Sequence, residues 1–196
     1  MTPKLFCRLA LLASVGVLPA HAWSDDLPPQ GCPHFIQVND RICRGAQPSQ
    51  DAWPKLASRG VRTVIDLRQR QEHAVEAESI AVYAAGMRYV NFPMNGFEIP
   101  TTGQIESVLN LLDGDDHVFV HCKLGKDRTG TVIAAYRISR ERWPNEKAMA
   151  EAQQCGLHWY ERGMKRFISS YHRDTRPNGP PGVDSGSETA TAESAR

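Results

Sequence analysis

Apolar positions along the chain alternate between a period of two and one near 3.6, so short strands and helices follow one another. Residues 35–38 and 41–44 read as short strands around an Asn39-Asp40 turn. Residues 49–58 predict a first helix, with Pro54 near its start and Gly60 at its end. The run Val61-Arg62-Thr63-Val64-Ile65-Asp66-Leu67 reads as a buried strand. Residues 73–85, rich in alanine with acids near the beginning, predict a helix stopped by Gly86. A strand over 87–92, a loop over 93–100, an amphipathic helix over 102–112 and a strand over 117–121 come next. Further helices are expected over 129–140, from Asn145 to Gly156, and over 158–171. In the last of these, His158-Trp159-Tyr160 read as core or helix packing without a part in chemistry. The alternation predicts an α/β fold, a central and largely parallel sheet flanked by helices.

The two ends of the chain read differently. Lys4 and Arg8, an apolar run over 9–18 and the small-x-small Ala20-His21-Ala22 form the pattern of a secretory signal peptide cleaved after Ala22. A periplasmic or secreted protein is therefore expected. The apolar run is about half of the roughly 20 residues that span a bilayer, so no stable membrane insertion is expected. Residues 23–34 read as a leader, 35–173 as one domain and 174–196 as a disordered tail of Pro, Gly, Ser and Thr. The 196 residues are enough for one domain with a substantial core. Loss of Lys4 and Arg8 takes the net charge from +1 to −1, and neither value suggests nucleic acid as a partner. Cleavage leaves Cys32, Cys43, Cys122 and Cys155. Cys32 and Cys43 are close enough in sequence to pair, and two separately buried thiols are an equal alternative. Their spacing resembles no metal site.

The chemistry concentrates in His121-Cys122-Lys123-Leu124-Gly125-Lys126-Asp127-Arg128-Thr129-Gly130, between a buried strand and a helix. A chain folding back between such elements points successive backbone N–H groups inward and sets a helix N-terminus behind them, a cradle for phosphate. Residues 122–128 would line it, with Gly125 relieving the tight turn and Gly130 allowing close backbone approach. A helix N-terminus and an arginine favour the anionic form of a thiol, which makes Cys122 the candidate nucleophile. Arg128 can grip two phosphoryl oxygens with its planar fork. The Thr129 hydroxyl is expected to hydrogen-bond the sulfur, and His121 to order the loop through a backbone hydrogen bond. Nothing in this chemistry calls for a cofactor or a metal. A nucleotide-binding loop would need Ser or Thr after Gly-Lys, and here Asp127 follows Lys126.

The stretch 121–130 resembles the signature of the protein tyrosine phosphatase superfamily: His-Cys, five residues, Arg, then Ser or Thr. The resemblance implies Cys122 as nucleophile, Arg128 as phosphate-binding arginine and Thr129 as the family hydroxyl. Arg44-Gly45-Ala46-Gln47-Pro48-Ser49, Val64-Ile65-Asp66-Leu67-Arg68 and Phe92-Pro93 are similar to compact bacterial and fungal dual-specificity phosphatases, over about residues 35–170. That family usually takes a general acid from an Asp on the loop after the strand ending near Phe92. Here that loop offers only Asn95 and Glu98. Asp127 inside the cradle is the favoured alternative, as in a lipid- and tyrosine-directed bacterial branch with the same Gly-Lys-Asp-Arg-Thr wording.

The resemblance implies hydrolysis of phosphate monoesters through a phosphocysteine, on a phosphorylated protein or a small anionic phosphate ester. A protein-tyrosine or dual-specificity phosphatase is the first reading. Lys123 and Lys126 at the rim raise a second, a phosphatase of phosphoinositides or inositol (poly/pyro)phosphates. Without the usual Asp, a phosphate-binding module with little turnover is a third, and rhodanese-like sulfur transfer a distant fourth. Asp66 and Arg68 would brace the loop as a pair, with Arg70 and His73 near the same sheet edge.

Overall fold

Asn39 folds the first hairpin: its Oδ1 accepts the N–H groups of Arg41 and Ile42 at 3.0 and 2.9 Å, an Asx-type turn. That turn joins β1 (Ile36–Gln37) to the antiparallel β2 (Ile42–Gly45). The remaining strands, β3 (Thr63–Asp66), β4 (Arg88–Asn91) and β5 (Val118–His121), run parallel to β2. The order across the sheet is β1-β2-β5-β3-β4. The computed structural model describes residues 27–72 and 74–172. The expected signal peptide and tail lie outside the described residues, as do part of the leader and His73.

β3 and β5 are buried along their whole length, as the continuous apolar runs predicted for strands covered on both faces. Their side chains alternate between two cores. Val118, Val120 and Ile65 point into one, shared with α3 (Thr102–Leu112), α4 (Asp127–Ser139), α5 (Asn145–Gln154) and α6 (Arg162–Ser170). Phe119 and Val64 point into the other, under α1 (Trp53–Ser58) and α2 (Val75–Ala84). β5 is therefore central in both directions, and the chain leaving it emerges at the carboxyl edge of the sheet, where parallel sheets bind ligands.

The helices stop and start on local signals. Thr101 and Gln104 form a reciprocal capping box at the start of α3, worth about 1 kcal/mol. Gly60 and Gly86 adopt positive φ after α1 and α2. Two helix starts near the sheet edge move from their predicted places. α4 begins at Asp127 rather than 129, because the Lys126 carbonyl already accepts Gly130 N–H at 2.7 Å and closes the first turn. α6 begins at Arg162, leaving His158-Trp159-Tyr160 in the connection that precedes it. Trp159 and Tyr160 are 76% and 52% exposed, so they are not core residues. Cys32 and Cys43 lie in one core as free buried thiols, and burial pushes the Cys32 thiol up to about 11. Among the described residues no helix is long and apolar enough to cross a membrane.

Candidate active site

Only residues 122–126 separate β5 from α4, so the turn at the sheet edge is tighter than the sequence pattern predicted. Its carbonyls are tied outward. Lys123 O accepts Gln47 N–H at 3.3 Å, and Gly125 O accepts Arg44 Nη2 at 2.6 Å. A peptide carbonyl held outward turns the next N–H the opposite way, which is how such a loop becomes an anion cradle. Gly125 has φ +67°, and a Cβ there would lie 2.5 Å from Ala46 N and nearer still to the Gly45 carbonyl. Only glycine fits. Gly130 is less constrained than expected: a Cβ there would meet Arg44 Nη2 at 3.7 Å and Ala152 Cβ at 3.9 Å, ordinary contacts.

Cys122, a free thiol 3% exposed, opens the loop. Arg128 and Thr129 stand in the first turn of α4 behind it. The Arg128 guanidinium is buried and clamped by Glu72, Nη1 to Oε1 at 2.5 Å and Nη2 to Oε2 at 2.9 Å. Nη1 also reaches the carbonyls of Met94 (3.3 Å) and Leu67 (3.5 Å). The hydrogen bond from Arg128 holds the Glu72 carboxyl below its ordinary pKa. Burial works against the Arg128 charge, yet Glu72 and Cys122 hold its pKa above the ordinary value. The expected bond from Thr129 to the sulfur is not made, since Thr129 Oγ1 is buried without a hydrogen-bond partner among the described residues.

His121 is fully buried beneath the cradle, with Nδ1 3.3 Å from Cys122 O and Nε2 3.0 Å from Glu78 Oε1. Glu78 also accepts from Gln47 Nε2 at 3.0 Å and from Arg68. Arg68 binds Asp66 through Nε and Nη2, both at 2.9 Å, and Tyr89 OH donates to Asp66 Oδ2 at 2.8 Å. Asp66 and Arg68 thus do brace the loop, through Glu78 and His121. Asp66, Glu78 and His121 bring their ligand atoms within 4.8 Å of one another, but the Arg68 guanidinium already joins the two carboxylates. Burial raises the carboxyl pKa values of Asp66 and Glu78, but these partners outweigh it and hold both low. Arg70, exposed, stays outside this network.

The two acid candidates part company. Glu98 is exposed on the loop between β4 and α3. Asp127 is held at the cradle by His158: the His158 N–H donates to Oδ1 at 2.9 Å, and ring Nδ1 lies 2.9 Å from both carboxylate oxygens. Lys123 and Leu124 are exposed at the rim, while the Lys126 stem lies along Gly156, 3.1 Å from a Cβ built there. Beside the rim opens a cavity of ≈ 490 Å³ lined by Gln47, Trp53, Arg68, Glu72, Lys123 and Leu124 among others.

Sequence reasoning missed Glu72, Glu78 and His158, and passed over Arg44 as a support. Arg44 alone carried a visible signal, a charged residue inside a short apolar strand. Glu72 and Glu78 look like solvated acids around a helix start.

A family described as DSP-PTPase phosphatase fused to NAD+ kinase matches residues 35–165. The inositol diphosphatase DSP5 of Arabidopsis thaliana is 29% identical over 146 residues, 71% of this chain and 70% of that protein. The dual specificity protein phosphatase TpbA of Pseudomonas aeruginosa is 26% identical over 173 residues, 80% of this chain and 75% of its own. The TpbA crystal structure superposes with a TM-score of 0.63 at 23% identity, covering 78% of this chain and 92% of that one. The core of the PP-IP phosphatase SIW14 from S. cerevisiae gives 0.63 at 20% identity, over 76% and 90%. With the strand-loop-helix cradle, its cysteine and its clamped arginine in place, the chain belongs to the DSP-PTPase family and is a cysteine-dependent phosphatase.

Proposed function

We propose that the substrate is a phosphorylated protein side chain, phosphotyrosine first, hydrolysed in two steps at Cys122. The sulfur attacks phosphorus, an S–P bond forms as the ester P–O bond breaks, and the leaving oxygen takes a proton from the rim. Water then attacks phosphorus, the P–S bond breaks, and inorganic phosphate leaves. Arg128 and the inward N–H groups of 123–127 stabilise the charge on the equatorial oxygens.

The cavity beside the cradle carries this choice. Of its charged lining residues, Arg68, Glu72 and Glu78 are each ion-paired, which leaves Lys123 without an ion-pair partner among the described residues and facing a ligand. Trp53, Pro48, Leu124 and three alanines line most of the rest, beside the amides of Gln47 and Gln50. Such a lining suits an aromatic ring with neighbouring peptide better than a polyanion. Lys123 and Lys126 at the rim support the second reading, an inositol (poly/pyro)phosphate, in which they focus the polyanion. Relatives bearing the name inositol diphosphatase point the same way.

Phosphate release from phosphotyrosine and phosphothreonine peptides, phosphoinositides and inositol polyphosphates, with Cys122→Ser as control, tests the choice. A higher kcat/KM on phosphotyrosine peptides is expected. Preference for the inositol compounds would overturn it, and loss of activity to a chelator would count against the metal-free steps. The pattern over residues 1–22 supports export to the periplasm or medium, checked by sequencing the mature N-terminus.

A further inference from the structure

The Asp127 carboxylate has two partners from the connection between α5 and α6, and both belong to His158. The backbone N–H of His158 can only donate, so Oδ1 is an acceptor. Ring Nδ1 lies 2.9 Å from Oδ1 and 2.9 Å from Oδ2, midway between them. If the hydrogen sits on Nδ1, the ring is a second donor to this carboxylate and the group acts as an acceptor rather than a source of a proton. The same contact fixes the ring. With its hydrogen on Nδ1 shared by the carboxylate, the imidazole is held by one nitrogen and presents the other, Nε2, as its reactive edge. Tyr160 stacks on the ring with centroids 4.9 Å apart and keeps it flat against the connection. His158 is half-buried, so the ring is held and still reached by solvent.

We infer that His158 is the proton donor to the leaving oxygen, with Asp127 as the carboxylate that orients its imidazole. The inference rests on the phosphocysteine reading of the site and reverses the role the sequence pattern gave to Asp127. Place supports it: Asp127 is the first residue of α4, immediately before Arg128, so its partner stands at the rim of the cradle. The competing acid Glu98 stands in solvent.

The charges around the ring agree. Asp127 faces it from α4 and Glu161 from the start of α6, against Arg128, whose charge Glu72 already engages, and Lys126, whose stem turns toward Gly156. Burial, with Asp127 nearby, raises the Glu161 carboxyl, and His158 and Arg128 oppose this.

The protons balance. In the first step Nε2–H passes to the leaving oxygen as the P–O bond breaks, and a neutral ring remains bound to Asp127 through Nδ1–H. In the second, the attacking water gives its proton to Nε2 as the P–S bond breaks, which restores the imidazolium.

Leaving-group dependence tests the assignment, because an ester whose leaving oxygen is a strong base needs the acid and one with an acidic leaving group does not. His158→Asn keeps an N–H toward Asp127 but has no proton to release. It is expected to cut kcat/KM, which reports the first step alone, about 10²-fold on phenyl phosphate and no more than about threefold on dinitrophenyl phosphate, while hydrolysis of the shared phosphocysteine slows for both. The dinitrophenyl ester thus doubles as the control for folding. The alkaline fall of kcat/KM on phenyl phosphate should disappear in that variant. Asp127→Asn should cost less on phenyl phosphate, about tenfold in kcat/KM, with a smaller loss on dinitrophenyl phosphate. An equal loss of kcat/KM on both esters in His158→Asn would make the residue structural and overturn the inference. So would an Asp127→Asn variant more damaged on phenyl phosphate than His158→Asn. Turnover by Cys122→Ser would instead sink the phosphocysteine reading, so the two failures are distinguishable.

Discussion

Replacing Glu72 by Gln tests whether Arg128 is positioned or restrained by its partner. The wild-type pair makes two bonds, 2.5 and 2.9 Å, between side chains only 9% (Arg128) and 25% (Glu72) exposed. Breaking a fully buried pair costs about 3–5 kcal/mol and an exposed one about 0–1, so a pair at this depth stands near 2. Gln keeps one carbonyl acceptor, and the Met94 and Leu67 carbonyls still hold Nη1. The expected loss is therefore about 1–2 kcal/mol, or about 2–8 °C in Tm for a domain of this size. Two effects on activity oppose each other. A freed guanidinium offers more donors to the phosphate of bound substrate, whereas a loosened one misses the oxygens of the transition state. The second should win, because misplacement by about 1 Å costs up to 10²-fold while one extra donor in water returns only about 1 kcal/mol. We expect kcat/KM to fall about tenfold, with kcat falling more than KM. The acid limb of stability should flatten as well. Because Glu72 titrates below its ordinary value when folded, its contribution is complete above the unfolded value of about 4.3 and vanishes as pH falls through the folded one. Melting curves against pH and steady-state kinetics read both effects. A rise in kcat/KM would refute positioning and make Glu72 a competitor of the substrate.

The supports of the cradle give three further expected outcomes. Gly125→Ala must adopt φ +67° and press its Cβ on the Gly45-Ala46 backbone, so kcat/KM should fall at least about 10²-fold with a lowered Tm. Activity within threefold of wild type would show that the loop does not need this register. Arg44→Met removes the donor on Gly125 O from a site 1% exposed, and a loss of about 2–3 kcal/mol in urea unfolding is expected. Asp66 and Glu78 both titrate low in the folded protein, so their stabilisation is present above the unfolded carboxyl values and is lost as pH falls through the folded ones. Glu78→Gln should therefore lower Tm at neutral pH and shrink its acid dependence, and an unchanged slope would assign that dependence elsewhere.

What the sequence disclosed and what it concealed divide by the range of the interaction. β3 and β5 were legible because burial on both faces writes itself as an unbroken apolar run. Cys122 and Arg128 were legible because a cradle is local: strand end, turn and helix start are contiguous, and their spacing is the geometry. The start of α4 was misplaced because its first turn, Asp127-Arg128-Thr129-Gly130, is polar or small and carries no periodic apolar signal. Its burial comes from neighbouring elements, not from its own pattern.

The partners that tune the cradle are remote. Glu72 lies 56 positions from Arg128, Glu78 lies 43 from His121, and His158 is 31 from Asp127. No pattern along the chain distinguishes these from surface acids or a packed aromatic cluster, since each becomes special only when the sheet order brings β3, β5 and the α5–α6 connection to one edge. A motif thus supplies residue types, and tertiary contacts decide their task. Asp127 shows this most sharply. Read along the chain it is an acid beside a phosphate. Held from the α5–α6 connection by a backbone N–H and a ring nitrogen, it is an acceptor that aims an imidazole, and the proton belongs to its partner.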